Sequence, residues 1–189
     1  MTDSITRQEL HHRKLDLRYY KRSDGLFEVV GELMDTKPHA FALQLRDEPL
    51  APHTPIHHMV LTLVLDDQVT VQDVHAQMKA TPFGVCLGAQ HTLGGLIGMK
   101  IGPGWNKKVK ELLGGSASCT HLMEMLGPMA TTALQGMAPQ RLEHLERPEN
   151  EHLRRAKVNS CFSYAEDREV VAQLWPDLHR AKGNTNEGT

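Results

Sequence analysis

Apolar and polar residues alternate along four stretches of the chain, and this pattern predicts two β-hairpins. The predicted strands cover residues 13–23 (RKLDLRYYKRS), 26–34 (LFEVVGELM), 59–65 (MVLTLVL) and 69–78 (VTVQDVHAQM). Asp24-Gly25, a dipeptide typical of hairpin turns, lies between the first two strands, and Asp66-Asp67 lies between the last two. Connections this short cannot contain crossover helices, so we expect an antiparallel sheet.

The apolar spacing becomes helical after the second hairpin. Helices are predicted at residues 86–97, at 105–113, from Ser118 or Thr120 to 137, and at 165–180, with a charged and partly helical connector over 139–157. Pro128 is expected to kink the long helix or to split it in two. Strands followed by helices predict an α+β fold, in which helices cover one face of the antiparallel sheet.

Length, charge and hydropathy argue against several classes of protein. The polar stretches 1–12 and 181–189 predict disordered tails around a single domain over 13–180. The formal net charge of -2, from 21 basic and 23 acidic residues, argues against a general nucleic-acid binder. The chain has no apolar run near the roughly 20 residues that span a bilayer, and the N-terminus lacks the apolar core of a secretory signal. We expect a cytoplasmic protein whose candidate partners are a small-molecule substrate and further copies of the chain, without a nucleic acid or a membrane.

Cysteine and histidine supply the candidate chemistry. The cysteines are Cys86, Cys119 and Cys161, and an odd number without a signal peptide argues against a disulfide framework. His57 begins the strongest strand, Cys86 follows the second hairpin, and Cys119 and His121 lie at the start of the long helix. Side chains at element ends can converge at one edge of a sheet. A helix N-terminus also favours thiolate, the form that binds zinc or attacks an electrophile.

The spacing of these residues leaves structural interpretations open. The chain has no CxxC or HExxH motif that would identify a metal site by itself. The three cysteines are equally consistent with small buried residues, which free cysteines usually are. The histidines are equally consistent with solvated side chains at element ends. Asp35, in the segment DTKP, is interpreted as part of an Asx turn before proline.

One resemblance covers most of the chain. The segments that carry it are YKRSDGLFEVVGELMDTKP (20–38), PIHHMVLTLVLD (55–66), ATPFGVC (80–86), GSASCTHLMEMLGPMATTALQ (115–135) and, more weakly, NSCFSY (159–164). On these segments the chain is identified as a member of an uncharacterised bacterial family of unknown function, DUF2889. That family implies no activity.

Residues 57–134 also resemble the U-type iron–sulfur scaffold proteins (IscU/NifU-like). The segment from MVLTLVL to GVCLGA is similar to the scaffold's strand pair and second cysteine, which places Cys86, and SCTHLMEMLGPMATTAL is similar to its third-cysteine helix, which places Cys119. The chain departs from the pattern in two ways: His57 stands at or beside the first cysteine, and His121 follows Cys119 rather than preceding it. The resemblance implies a scaffold-like fold in which His57, Cys86 and Cys119 meet at one end of the sheet.

These inferences together predict a metal-site protein that acts as a small-molecule enzyme. Zinc or iron would be held by His57, Cys86 and Cys119, with Cys161, His121 or a water as the fourth ligand, and a mixed histidine and cysteine set suits zinc better than a cluster. Cys119 and His121 are also the candidate catalytic residues. Two alternatives stay open: an accessory protein that binds or transfers a metal or an iron–sulfur cluster, and a metal-free cysteine-nucleophile enzyme or ligand-binding module.

Overall fold

The structure, a computed structural model, describes residues 4–181 and contains one four-stranded antiparallel sheet. Its strands are β1 (His12–Lys21), β2 (Phe27–Thr36), β3 (His57–Leu65) and β4 (Val71–Ala80). The sheet order is β1-β2-β3-β4, so each strand pairs with the next one along the chain. The four predicted strands and their antiparallel pairing are confirmed, with ends that shift by no more than two residues.

The segment after β4 differs from its prediction. A short helix was expected within 86–97, ending at Gly94-Gly95, and the structure instead has two 3₁₀ helices in this segment, Gly84–His91 and Leu93–Leu96. Its glycines disfavour an α-helix, and only Leu93 and Leu96 within these two helices are buried, so there is no continuous apolar stripe to stabilise one.

Two α-helices follow, α1 (Trp105–Leu113) and α2 (Thr120–Gly136). The predicted α1 is confirmed at both ends. Pro128 was expected to kink the helix or to split it, and of these two alternatives the split is wrong, because Pro128 lies inside a continuous α2. The buried side chains of α2 lie on both sides of Pro128 and are Leu122, Met125, Leu126, Met129, Ala130 and Ala133. Packing of this apolar face outweighs the backbone hydrogen bond that the proline removes.

The face of the sheet that α2 covers follows from the strand register. Leu17 of β1 stands opposite Gly31 of β2, and Gly31 stands opposite Leu61 of β3. A Cβ added at Gly31 would lie 2.9 Å from Cε of Met125 and 3.1 Å from Sδ of Met129, so the methionines of α2 lie directly over this row. Because side chains alternate along a strand, every second residue of β1, β2 and β3 projects toward the same face.

The chain divides into two compact units between Gly136 and Met137. The second unit contains α3 (Ala138–Leu145), α4 (Glu151–Lys157) and α5 (Glu169–Leu174). Its small core is built from Val171, Trp175 and Leu178. The partly helical connector is thereby confirmed, and a last helix is present but covers only Glu169–Leu174 of the predicted 165–180. The single domain over 13–180 stays a prediction.

The ends of the chain lie partly outside the described residues. The predicted tails include residues 1–3 and 182–189, which fall outside, and residues 4–11 precede β1 without regular secondary structure. Among the helices of residues 4–181, none is long and apolar enough to cross a membrane.

Candidate metal centre

A polar row crosses three strands at one end of the sheet. Arg13 of β1 stands opposite Asp35 of β2, and Asp35 stands opposite His57 of β3. Their side chains project from the face that α2 covers, because they lie an even number of residues from Leu17, Gly31 and Leu61. The first turn of α2 places His121 over the same row, since its imidazole lies against Asp35 and His57.

Asp35 is the centre of the cluster, and only 1% of its side chain is exposed. Arg13 donates from Nε to Oδ1 at 2.7 Å and from Nη2 to Oδ2 at 2.8 Å. Nδ1 of His57 lies 3.2 Å from Oδ2, Nε2 of His121 lies 3.6 Å from Oδ2, and Nε2 of His11 lies 3.4 Å from Oδ1. A carboxylate this buried needs charged and hydrogen-bonding partners. Arg13 supplies a charge and two hydrogen bonds, and His57 lies within hydrogen-bonding distance. His121 and His11 are more distant polar neighbours.

Asp35, His57 and His121 form a group that could hold a metal ion. One ligand atom from each lies within 4.8 Å of the other two, and no second group of this kind occurs in residues 4–181. The two imidazole rings are 3.9 Å apart between centroids and are tilted by 33°. A tetrahedral zinc ion with bonds of about 2.1 Å would hold two ligand atoms about 3.4 Å apart. Side-chain rotations that move the ligand atoms by about 1 Å would therefore bring all three to bonding distance from one ion.

The protonation states of the three residues suit a metal ligand set. Burial opposes ionisation of Asp35, but the hydrogen bond and charge of Arg13, with smaller contributions from His57 and His11, lower the pKa of Asp35 below its usual value. Burial lowers the pKa of His57, and Asp35 offsets only part of this effect. Burial, and then the charges of His57 and Arg13, lower the pKa of His121. At neutral pH the group therefore presents a carboxylate and two neutral imidazoles, the forms that bind metals.

Cys119 adds a thiol behind His121. Its Sγ lies 3.7 Å from Nδ1 of His121, whose Nε2 faces Asp35. The thiol of Cys119, the imidazole of His121 and the carboxylate of Asp35 are therefore neighbours in that order. The same order of groups activates the nucleophile in cysteine-dependent enzymes.

The structure brings together some of the residues that the sequence singled out. His57 and His121 belong to the three-residue group, and Cys119 contacts His121 without belonging to it. Cys86 is half-buried in the first 3₁₀ helix after β4 and lies outside the group. Cys161 is exposed and lies in the second unit. The roles of Cys86, Cys119 and Cys161 as ligands stay predictions.

Sequence reasoning missed Asp35 and Arg13. The interpretation of Asp35 as an Asx-turn residue is wrong, because it lies within β2 and its carboxylate binds side chains from other elements. A signal was present in the alternation: Asp35 follows Leu33 at the buried positions of β2, and Arg13 precedes Leu15 at the matching positions of β1. A charged residue at an inward position of a strand indicates a buried ion pair or a binding site.

A second histidine–carboxylate cluster lies on the opposite face of the same strands. Oε1 of Glu32 lies 2.6 Å from Nε2 of His58 and accepts from Nζ of Lys79 at 3.1 Å. The Glu32 side chain is 45% exposed. Hydrogen bonds from His58 and then from Lys79 lower the pKa of Glu32. His58 and Lys79 also line a cleft of about 510 Å³, which none of the three residues of the candidate metal group lines.

The fold and the site define an antiparallel α+β protein with a histidine–histidine–aspartate group built around a buried carboxylate. The family model described as "Protein of unknown function (DUF2889)" matches residues 11–135, a range that contains Asp35, His57, Cys119 and His121, and the chain belongs to this family. No curated protein and no solved structure matches the chain. The resemblance to iron–sulfur scaffold proteins is not shown by these comparisons.

Proposed function

We propose that the protein is a metal-dependent enzyme that acts on a small organic molecule, with Asp35, His57 and His121 as the ligands of zinc or iron. The observation that carries the proposal is the convergence of these three donors, from two strands and a helix, around a buried carboxylate. Two histidines and one carboxylate leave coordination positions for water and substrate, in zinc enzymes and in non-haem iron enzymes. The ion would activate a bound water or polarise a substrate oxygen.

Arg13 supports this centre without blocking it. Its guanidinium donates to both oxygens of Asp35, and its Nη1 donates to Oε2 of Glu124 at 3.1 Å. Oδ2 of Asp35 accepts from Arg13 and lies against Nδ1 of His57, so its second lone pair would be available to an ion when Nδ1 is itself a metal ligand rather than a donor. Arg13 thereby fixes the orientation of the aspartate and keeps this buried carboxylate ionised, while the partly exposed rings of His57 and His121 leave the site open to water.

The proposal is tested by zinc titration of chelator-stripped protein against a competing indicator. We expect one zinc ion per chain. H57Q and H121Q should each weaken zinc binding by at least about 100-fold, because loss of a ligand exceeds the effect of losing a supporting contact. H58Q is the matched control, since His58 is the next residue of β3 and faces the other way. Zinc binding that is absent, or that H58Q weakens as much as H57Q, contradicts the proposal.

A cysteine-nucleophile enzyme is the second candidate, and the series Cys119–His121–Asp35 favours it. In such an enzyme His121 would accept the proton of the Cys119 thiol, and Asp35 would orient the imidazole of His121. Iodoacetamide should then alkylate Cys119 of the metal-free protein faster than Cys86, and H121Q should remove the difference. Equal alkylation rates at both cysteines count against this candidate.

Within residues 4–181, no specific contact favours the third candidate, an accessory protein that carries a metal or cluster. Iron–sulfur clusters are usually held by thiolates, and the three-residue group contains none. Visible absorption after anaerobic reconstitution with iron and sulfide tests this candidate, and a colourless protein counts against it.

A further inference from the structure

Both ring nitrogens of His121 have a partner in the site. Nε2 lies 3.6 Å from Oδ2 of Asp35, and Nδ1 lies 3.7 Å from Sγ of Cys119. The helix start fixes both residues, because the carbonyl of Cys119 accepts the first backbone hydrogen bond of α2, from the N–H of Met123 at 3.0 Å. The thiol and the imidazole are therefore held on one rigid turn.

We propose that Cys119 is a positioning residue of the metal centre: its sulfur accepts a hydrogen bond from Nδ1 of His121 and is not itself a ligand. A neutral imidazole has one N–H donor and one lone pair. When Nδ1 donates to sulfur, the lone pair is on Nε2, which faces Asp35 and the ion. This inference rests on the metal centre proposed above.

The direction of the contact separates this role from direct ligation. The two nitrogens of an imidazole point away from each other, so an ion on Nε2 lies on the opposite side of the ring from the partner of Nδ1. Consistent with this, Cys119 is not among the donors that lie within 4.8 Å of one another. Metal-binding histidines usually donate their second nitrogen to an acceptor that fixes the tautomer and the ring orientation.

The test is cobalt(II) binding to the full chain, with three variants at two cysteines. Nitrogen and oxygen ligands give cobalt weak visible bands, whereas a bound thiolate adds an intense sulfur-to-metal charge-transfer band in the near ultraviolet. We expect the visible bands without the charge-transfer band. C119A should weaken cobalt binding by about 10-fold, because loss of such a supporting contact costs 10- to 100-fold in metal affinity and sulfur is a weak acceptor.

C119S separates the hydrogen bond from the packing of the side chain. Its hydroxyl can accept from Nδ1, so it should bind cobalt more tightly than C119A does. C161S is the matched control and should bind like the wild type, because Cys161 is exposed and lies in the other unit. Urea unfolding of the chelator-stripped variants verifies that each is folded before metal is added.

The other outcomes of the cobalt experiment distinguish a failure of the positioning role of Cys119 from a failure of the metal centre. Wild-type affinity in C119A overturns the positioning role and leaves the metal centre intact. A charge-transfer band that C119A abolishes also overturns it, because Cys119 is then a ligand. If the wild type binds neither cobalt nor zinc, the metal centre itself is wrong.

Discussion

Two histidine–carboxylate clusters occupy neighbouring positions of β2 and β3 on opposite faces of the sheet, and they differ mainly in burial. Asp35 pairs with His57 under α2 and is 1% exposed, whereas Glu32 pairs with His58 and is 45% exposed. Each carboxylate also has a cationic partner, Arg13 or Lys79. The two clusters use the same pair of strands and similar residue types. A comparison between them therefore separates the effect of burial from the effect of ion pairing.

Burial explains why one cluster is a candidate site and the other is not. A charge that water hardly reaches must be satisfied by fixed partners, and Arg13 supplies two parallel hydrogen bonds to Asp35. Glu32 is solvated and its ion pairs are screened, so its cluster needs no such arrangement. A buried ion pair is weak evidence of a stabilising role, since apolar residues of similar size often stabilise such a position as well, and this agrees with the binding role proposed for the inner cluster.

Removal of each carboxylate should give the largest difference between the clusters. In chelator-stripped protein, D35A should lower the free energy of unfolding by about 2 kcal/mol, since it removes the charge-assisted hydrogen bonds between Arg13 and the buried carboxylate. E32A should lower it by less than about 1 kcal/mol, as exposed pairs do. Urea unfolding monitored by circular dichroism measures both values. Equal losses would mean that burial does not distinguish the clusters.

Acid should weaken the inner cluster in a defined range of pH. The pKa values of His57 and His121 are lowered from 6.5 on folding, so the unfolded chain binds more protons than the folded chain as the pH falls below that value. The stability contributed by the neutral imidazoles is complete above pH 6.5 and is lost as the pH falls below 6.5 and through the lowered pKa values of the folded chain.

Unfolding of the metal-free protein between about pH 7 and 5 measures this loss. H57Q combined with H121Q should flatten the pH dependence. E32Q serves as the control and should keep the wild-type slope, because the lowered pKa of Glu32 places its own titration below this range. If the double substitution leaves the slope of the unfolding free energy against pH unchanged, the lowered pKa values of His57 and His121 are contradicted.

Salt should produce the smallest difference. The range of electrostatic interactions falls from about 10 Å at 0.1 M salt to about 3 Å at 1 M. We expect E32Q to cost about 0.5 kcal/mol at low salt and nothing measurable at 1 M, since its pairs with His58 and Lys79 are exposed. The deficit of D35N should persist at both salt concentrations. A D35N deficit that disappears with salt would show that the inner cluster is solvated.

Much of the fold could be predicted because local patterns determine it. Alternation sets the strands, and Asp24-Gly25 sets the first hairpin, in which Gly25 has the positive φ of 89° that the turn requires. The 86–97 segment and the course of α2 through Pro128 could not be predicted in this way. Whether a continuous apolar face is buried decides both: such a face keeps α2 intact through Pro128, and its absence leaves residues 86–97 in 3₁₀ helices. Local propensity does not report burial.

The site was predicted only in part for a similar reason. His57 and His121 stand at element ends, which the sequence pattern reveals. Asp35 lies opposite His57 only through the pairing of β2 with β3, and the long connection between these strands leaves that pairing undetermined by sequence. The pairing of Asp35 with Arg13 could be predicted from the sequence, because the turn at Asp24-Gly25 sets the register of the first hairpin.

The most direct measurement is a crystal structure of the zinc-loaded protein with anomalous scattering recorded at the zinc edge. Our account predicts one anomalous peak per chain, with bonds of about 2.0–2.2 Å to Asp35, His57 and His121. It also predicts that Arg13 still contacts Asp35. A peak held by Cys86 or Cys161 instead, or no peak between Asp35 and the two histidines, would contradict the account.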